Sequence, residues 1–405
     1  MLPYGRQTIE DDDIAAVSEV LRGAYLTSGP TIGAFEAKLC EVTQAGEAVV
    51  CANGTAALHL AAMALDLGPG DVAIVPAQTF VATANAVAMT GARVAFADVA
   101  PDTGLMRAQD LEAALAAARP LGRVRALFVV HLNGQTAPMA ELAPIARAAG
   151  LAVVEDSCHA IGGLMPGVDG RPTPVGSCAW SDMATFSFHP VKTVTMGEGG
   201  AVTTNDAVTA QRLRDLRGHG IVREAERFQD GEAAFDTGGQ ANPWYYEMQA
   251  LGHNYRASDL QCALGLSQLG KLARFVRRRA ALVAAYDTLL SERVPGVRPI
   301  TRVDMPAPGW HLYPVLIDFA GAGLDRATVM RALAAQGIGT QVHYIPVPDQ
   351  PYWRAVAPDT LCPGARAYGA RVLSLPLFPD MTDGDVGRVV DALRHVLSGG
   401  GRCVA

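Results

Sequence analysis

Three short stretches carry polar residues whose types, taken together, could do chemistry. Lys192 lies in FSFHPVKTVTMGEGG, between an apolar run and a cluster of glycines. Asp156 follows an apolar strand-like run in LAVVEDSCHA, where a carboxylate is costly unless it is paired or hydrogen-bonded. CANGTAALHL passes from a strand into a helix at residues 53–55, and the free N–H groups of a helix start suit a phosphate. An amine, a carboxylate and a phosphate cradle are the groups that pyridoxal 5'-phosphate (PLP) requires.

Each of these features also has an ordinary explanation. Asp156 alone could cap the end of a strand, the Gly54-Thr55 pair could simply begin a helix, and Lys192 could be a solvated surface amine. Their order and spacing together favour the cofactor site.

Motifs for other cofactors fail on spacing. The glycines of GEGG and GLGLSQLG do not form G-x-G-x-x-G between a strand and a helix. Lys192-Thr193 resembles the end of a phosphate loop, but Val191 and Phe186 stand where that motif needs glycine. The sequence contains neither H-E-x-x-H nor a close Cys/His cluster, so we predict no metal site.

The composition of the chain argues against several other classes of protein. The 405 residues are 50% apolar and carry a net charge of -7, which predicts a folded protein without affinity for nucleic acid. We interpret the one basic cluster, residues 277–279, as a solvated helix face. Seven scattered cysteines predict reduced thiols, and the chain shows no signal peptide or membrane-spanning run, so we expect a cytoplasmic protein that does not bind membranes.

The elements that must position these residues follow a βα pattern. From residue 47 to Ser157, short β-branched runs alternate with amphipathic helices, after two helices at the N-terminus. This predicts a mostly parallel sheet whose strands end at the ligand site. A polar loop is expected at 222–243, then a long helix from Ser258 to about Glu292. We predict a large domain over 1–257, and the interdomain helix with a small α+β domain over 258–405.

Seven motifs together resemble the sugar-nucleotide aminotransferases of the DegT/DnrJ/StrS family, over almost the whole chain. They are LTSGP, NGTAAL, PAQTFVATANAV, VVEDSCHAIG, FSFHPVKTVTMGEGGAV, LGHNYRASDLQCALGLSQL and VHYIPVPDQPYW. The resemblance implies the α/β fold of type I PLP-dependent aminotransferases, with a large, mostly parallel sheet and a smaller α+β domain. It also implies a homodimer with active sites shared between subunits.

Carried over residue by residue, the resemblance implies that Lys192 binds PLP covalently and acts as acid and base. Asp156 would pair with the pyridinium nitrogen, His159 would lie near the phenolic oxygen, and Phe80 would stack on the ring. The phosphate would be held by four groups of the same subunit and one of the partner: Gly54, Thr55, Ala56, Ser187 and, from the partner subunit, Asn254. Substrate contacts are expected from Tyr4, Thr27, Arg256 and His343.

Within the family, the N-terminal segment, LTSGP and YYEMQALGHNYRASDLQCALGLSQLGKL are most similar to aminotransferases of pseudaminic acid synthesis. Those enzymes transfer an amino group, usually from glutamate, to the 4-keto carbon of a UDP-linked 2-acetamido-2,6-dideoxy-4-keto-hexose. One position departs from the pattern: Pro348, followed by Asp349, stands where the I-P-x-H loop carries histidine. The departure leaves the exact sugar open.

Other functions are weighed on the same residues. An aminotransferase acting on another nucleotide-linked keto sugar, such as a GDP- or dTDP-4-keto-6-deoxy sugar, is the alternative. Dehydratases of the family carry histidine at the lysine position, so Lys192 argues against that reaction. A non-catalytic sensor on the same scaffold is disfavoured because Lys192, Asp156, Ser187 and Asn254 are all retained.

Overall fold

The computed structural model describes residues 1–400, and a seven-stranded sheet with helices on both faces forms its centre. The helices are α1 Asp11–Arg22, α2 Pro30–Thr43, α3 Gly54–Ala64, α4 Val81–Ala88, α5 Ala108–Ala118, α6 Met139–Ala148, α7 Ala207–Arg217, α8 Gly231–Ala234, α9 Asp259–Arg293, α10 Arg326–Ala335, α11 Pro351–Val356, α12 Pro363–Arg371 and α13 Asp383–His395. The strands are β1 Glu47–Cys51, β2 Asp71–Pro76, β3 Arg93–Ala97, β4 Arg123–Val130, β5 Ala152–Asp156, β6 Leu164–Pro166, β7 Pro172–Pro174, β8 Met183–Ser187, β9 Gly200–Thr204, β10 Ile221–Val222, β11 Glu247–Met248, β12 Val297–Pro299, β13 Tyr313–Ile317 and β14 Val372–Leu375. The predicted α/β fold is confirmed.

The central sheet brings the ends of strands that are distant in sequence to one edge. Its order is β1-β9-β8-β5-β4-β2-β3. β9 runs antiparallel to both of its neighbours, and the other neighbouring pairs are parallel. The carboxyl ends of β1, β2, β4, β5 and β8 therefore open on the same side, where parallel sheets bind their ligands.

Alternate residues of each strand supply two separate cores. In β2, Val72 and Ile74 join an apolar cluster with α5, α6 and α9, whereas Ala73 and Val75 pack with α3, α4 and α7. Strands covered on both faces are near-continuous apolar runs, as DVAIVP is. The burial of β2 on both faces therefore makes the strand rigid where its end carries site residues.

The predicted long helix is α9. Ser258 begins it with a capping box, because its hydroxyl accepts the N–H of Gln261 while the Gln261 side chain accepts the N–H of Ser258. The helix packs against α1, α2 and α13. β12, β13 and β14 form a small antiparallel sheet. The boundary at 257/258 stays a prediction.

Two details of the sequence analysis are corrected. Arg279 is not on a solvated face: it is 0% exposed and donates to the carbonyls of His311 and Leu377. The predicted loop at 222–243 is mostly exposed, but it includes helix α8 and follows directly on β10, which pairs with β11. Within residues 1–400, no helix has both the length and the apolar character that crossing a bilayer needs. Of the seven cysteines, Cys403 lies outside the described residues, and the other six are not in disulfides.

A buried carboxylate joins the beginnings of α2 and α9. Asp259, the first residue of α9, accepts the N–H groups of Gly29 and Thr31 at 2.8 and 3.0 Å. A Cβ on Gly29 would lie 2.7 Å from Asp259 Oδ1, so the close approach requires glycine. The carboxylate satisfies two N–H groups at the start of α2, where a negative charge is favourable.

We expect Asp259→Ala to lower the free energy of unfolding by about 2 kcal/mol, because both N–H groups lose a charged acceptor. Urea unfolding at fixed protein concentration measures the change. Glu19→Ala is the matched control, because Glu19 is an exposed carboxylate on the neighbouring helix α1. A loss no greater than that of the control would contradict the role of Asp259.

Candidate active site

A cavity of about 580 Å³ opens at the carboxyl edge of the central sheet. Nine of the residues predicted from sequence line it: Tyr4, Gly54, Thr55, Phe80, Asp156, His159, Ser187, Lys192 and His343. The structure thus brings together side chains from several strand ends and from both ends of the chain.

Asp156 is the buried carboxylate of this cavity, at the end of β5. It is 6% exposed. Its Oδ2 accepts the hydroxyl of Thr83 at 2.8 Å, and its Oδ1 accepts the backbone N–H of Cys158 at 3.2 Å. The Thr83 hydroxyl is also 2.8 Å from that of Thr79. These bonds orient the carboxylate and compensate part of the cost of its burial.

Lys192 reaches the same cavity from the turn after β8. Its backbone N–H donates to the carbonyl of His189 at 2.8 Å. Burial lowers the pKa of the Lys192 ammonium below its ordinary value, although the neighbouring Cys158 and Asp156 act in the opposite direction. The amine therefore loses its proton more readily than a solvated lysine does.

The start of α3 forms an anion cradle. Asn53 caps this helix, and its Oδ1 accepts the N–H of Ala56 at 2.8 Å. The Ala56 N–H is thus already bonded, while those of Gly54 and Thr55 have no acceptor within residues 1–400. A Cβ on Gly54 would lie 2.7 Å from the Cβ of Ser187, so glycine keeps the cradle open.

Aromatic and imidazole side chains form the rest of the wall. Phe80 is 54% exposed at the cavity, and its ring centroid lies 5.6 Å from that of Tyr344. His159 Nε2 is 3.1 Å from the Tyr344 hydroxyl. The His159 and His311 rings are 4.5 Å apart.

Three histidines that line the cavity, His159, His311 and His343, are kept neutral. Burial, reinforced by the charge of Lys192, lowers the pKa of His343 to about 3. The same two causes place the pKa values of His159 and His311 well below the ordinary range. Near neutral pH these rings therefore act as hydrogen-bonding groups without charge.

Four predicted residues do not line this cavity: Thr27, Ala56, Asn254 and Arg256. Thr27, Asn254 and Arg256 are exposed, and Thr27 forms a β-bridge with Ser258. The backbone carbonyl of Tyr255 accepts the N–H of Ala52 at 2.8 Å, beside the start of the cradle. The side chains on either side of Tyr255 therefore lie near the cradle but outside the cavity of their own subunit.

Sequence reasoning missed several lining residues, of which the most informative are Thr83, Tyr344 and His311. Thr83 lies inside the run PAQTFVATANAV and Tyr344 inside VHYIPVPDQPYW. The motifs therefore contain both residues, but no role was predicted for either. His311 precedes β13 in a stretch that carries no such signal. Within residues 1–400, no group of three His, Cys, Asp or Glu side chains is arranged to hold a metal.

The residues present fit PLP. Two free N–H groups and the Ser187 hydroxyl suit its phosphate, the oriented Asp156 suits its ring nitrogen, and Lys192 has an amine of lowered pKa. Phe80 offers a flat apolar surface to a ring. The donor set therefore matches each part of the cofactor.

Comparison with known proteins agrees with this geometry. The model of the DegT/DnrJ/EryC1/StrS aminotransferase family matches residues 7–394. Helicobacter pylori PseC, an aminotransferase of pseudaminic acid biosynthesis, is 25% identical with a TM-score of 0.85, over 98% of this chain and 99% of that one. DesV from S. venezuelae is 30% identical with a TM-score of 0.80, over 99% of this chain and 100% of that one. Spr1654 from Streptococcus pneumoniae, solved in PLP and PMP forms, is 26% identical with a TM-score of 0.85 for the PMP form, over 98% and 99%.

We expect Gly54→Ala to raise the dissociation constant of PLP at least about tenfold, because the added methyl group intrudes on Ser187 in the cradle. Absorbance titration of the cofactor-free protein measures the change. Gly33→Ala in α2 is the matched control, because nothing lies within 4 Å of its Cβ position. Equal PLP affinity in both variants would show that the start of α3 does not bind the phosphate of PLP.

Proposed function

The chain belongs to the DegT/DnrJ/EryC1/StrS aminotransferase family and is a PLP-dependent sugar aminotransferase, and we propose that its acceptor is a UDP-linked 2-acetamido-2,6-dideoxy-4-keto-hexose. The amino group would come from an amino acid, L-glutamate first, and the reaction would take place in the cytoplasm. The observation that carries the proposal is the cavity in which Lys192 and the buried Asp156 face an anion cradle.

When bound, PLP supplies an electron-accepting ring and a carbonyl carbon that carries the amino group between the two substrates. The chain's own residues would hold it in three places. The N–H groups of Gly54 and Thr55 and the hydroxyl of Ser187 would bind the phosphate, and Phe80 would cover one face of the ring.

Asp156 would keep a proton on the ring nitrogen. Its carboxylate has donors on both oxygens already, from Thr83 and from the Cys158 backbone, so its orientation is set before a ligand arrives. A fixed negative charge in a buried site stabilises a cation far more than the same charge in water does.

Lys192 would move the proton at the α-carbon of the amino donor. A base must be neutral before it can accept a proton, and the lowered pKa of Lys192 supplies that state nearer to neutral pH. In the second half of the reaction, Nζ of Lys192 would deliver a proton to the keto carbon of the acceptor sugar.

The acceptor is proposed from the resemblance to the pseudaminic acid enzymes and from the similarity to PseC. One observation favours a second candidate, another nucleotide-linked keto sugar. Pro348 is buried and Asp349 pairs with Arg366. Neither residue lines the cavity, so positions 348 and 349 supply no side chain there in place of the histidine of the I-P-x-H pattern.

A homodimer is proposed because three residues expected at the site, Thr27, Asn254 and Arg256, are exposed and outside the cavity of their own subunit. In such a dimer, Asn254 would reach the phosphate of the partner's PLP, and Arg256 would lie against the partner's substrate. Each active site would then need two chains.

The function is tested by assaying PLP-loaded protein with glutamate and a panel of UDP-, GDP- and dTDP-linked 4-keto sugars. We expect amination to be fastest with the UDP-2-acetamido sugar. Lys192→Ala should aminate no sugar of the panel, whereas Lys38→Ala, which changes a surface lysine paired with Glu41, should match wild type. A dTDP- or GDP-sugar as the best acceptor would replace the UDP proposal, and activity in Lys192→Ala would overturn the role of the lysine.

Mixing two inactive variants tests the shared site. When Lys192→Ala and Asn254→Ala chains are unfolded and reassociated together, half of the dimers should be hybrids. Each hybrid would have one site with both residues intact, so activity should recover to roughly a quarter of wild type. If mass spectrometry shows hybrids but activity stays at the level of the separate variants, Asn254 acts within its own chain.

A further inference from the structure

The hydroxyl of Tyr344 lies in the wall of the cavity, bonded to the residue expected near the phenolic oxygen of PLP. Tyr344 lines the cavity together with Lys192 and Asp156. Its hydroxyl is 3.1 Å from Nε2 of His159. Which of the two groups donates this hydrogen bond decides what each can offer to a ligand.

The backbone settles the direction of the bond. The N–H of Asn133 points at Nδ1 of His159, at 3.4 Å. A backbone N–H can only donate, so Nδ1 is the acceptor and carries no hydrogen. The pKa of His159 is well below its ordinary value because of burial, so the ring is neutral and its one hydrogen is on Nε2. Nε2 therefore donates to the Tyr344 oxygen.

This arrangement leaves the hydrogen of the Tyr344 hydroxyl free to be donated to a ligand. Its oxygen accepts from His159, and no acceptor for the O–H lies within hydrogen-bond distance among residues 1–400. Burial, with a further contribution from Asp156, raises the pKa of Tyr344 well above its ordinary value, so the hydrogen stays on the phenol. The hydroxyl is a donor without an acceptor in the wall of a cavity.

From this geometry we propose that Tyr344 is the donor to the phenolic oxygen of bound PLP, and that His159 is a positioning residue that acts through it. The inference rests on the proposed function and deepens it, because it reassigns the contact that the resemblance gives to His159. The chain of bonds runs from the Asn133 N–H to His159, from His159 to Tyr344, and from Tyr344 to the ligand.

Tyr344 is held firmly enough for this role. The side chain of Gln78, two residues after the end of β2, donates to the backbone carbonyl of Tyr344 at 3.0 Å. The ring packs 5.6 Å from Phe80 and 6.0 Å from His159, measured between centroids. Residues that follow β2 and β5 therefore hold both the backbone and the hydroxyl of a residue from the C-terminal part of the chain.

The test is a pH titration of the visible absorbance of the PLP-loaded protein. A donor stabilises the anionic form of a phenolic oxygen, so removing it raises the pKa of the bound chromophore. We expect the midpoint to rise by roughly one pH unit or more in Tyr344→Phe. Other titratable groups also line the cavity and are unchanged in this variant: Tyr4, His131, Asp156, Cys158, His189, Lys192, Glu198, His311 and His343.

Three further proteins complete the experiment. His159→Leu should raise the midpoint by less than Tyr344→Phe, because the donor stays but loses its anchor. The midpoint of the double variant should match that of Tyr344→Phe alone, since the two residues act in series through one chain of hydrogen bonds. Tyr352→Phe is the control: its side chain is 62% exposed, it does not line this cavity, and its midpoint should equal that of wild type.

Two results would overturn the inference. One is an unchanged midpoint in Tyr344→Phe with a rise in His159→Leu, which would mean that His159 contacts the oxygen directly. The other is a double variant whose shift equals the sum of the single shifts, which would mean two independent contacts. Failure of the proposed function looks different, because a protein without PLP on Lys192 would show no visible band in any variant.

Discussion

The buried negative charge of Asp156 is the constraint on which the rest of the site depends. A carboxylate that is 6% exposed is costly unless donors and a cation compensate for the water it has lost. The chain offers it one hydroxyl, from Thr83, and one backbone N–H, from Cys158. His159, His311 and His343 do not neutralise it, because burial and Lys192 keep these three rings uncharged. A cationic ring nitrogen would therefore find a charge that is oriented and incompletely compensated.

Sheet topology makes this arrangement possible. The cradle follows β1, Phe80 and Thr83 follow β2, Asp156 ends β5, and Ser187 ends β8. In sequence, helices separate β1, β2 and β5, and the paired strands β6 and β7 separate β5 from β8, yet in the sheet their ends share one edge. Asp156 lies in the buried strand β5 and its hydroxyl donor Thr83 lies in helix α4, so both groups stand on regular elements and not on loops.

The sequence was sufficient for what depends on local pattern. The βα alternation predicted the sheet, the long helical stretch from Ser258 predicted α9, and the motifs predicted Lys192, Asp156 and the cradle. It was insufficient where the partner is remote in sequence. Nothing in RRRAAL distinguishes the buried Arg279 from its solvated neighbours, because its acceptors at His311 and Leu377 are 32 and 98 residues away. The bond between Tyr344 and His159 spans 185 residues and is equally invisible in any local pattern.

The exposed segment around Asn254 is coupled to the cradle of its own subunit by backbone bonds. The carbonyl of Tyr255 accepts the N–H of Ala52, next to the residue that caps α3. Asp259 then ties the same stretch to the start of α2 through Gly29 and Thr31. In the proposed dimer, the side chains of this segment would bind the phosphate of the partner's PLP, while its backbone supports the cradle of its own subunit. Displacing the segment would then disturb both cradles at once, so the two active sites would be mechanically linked without any contact between their cofactors.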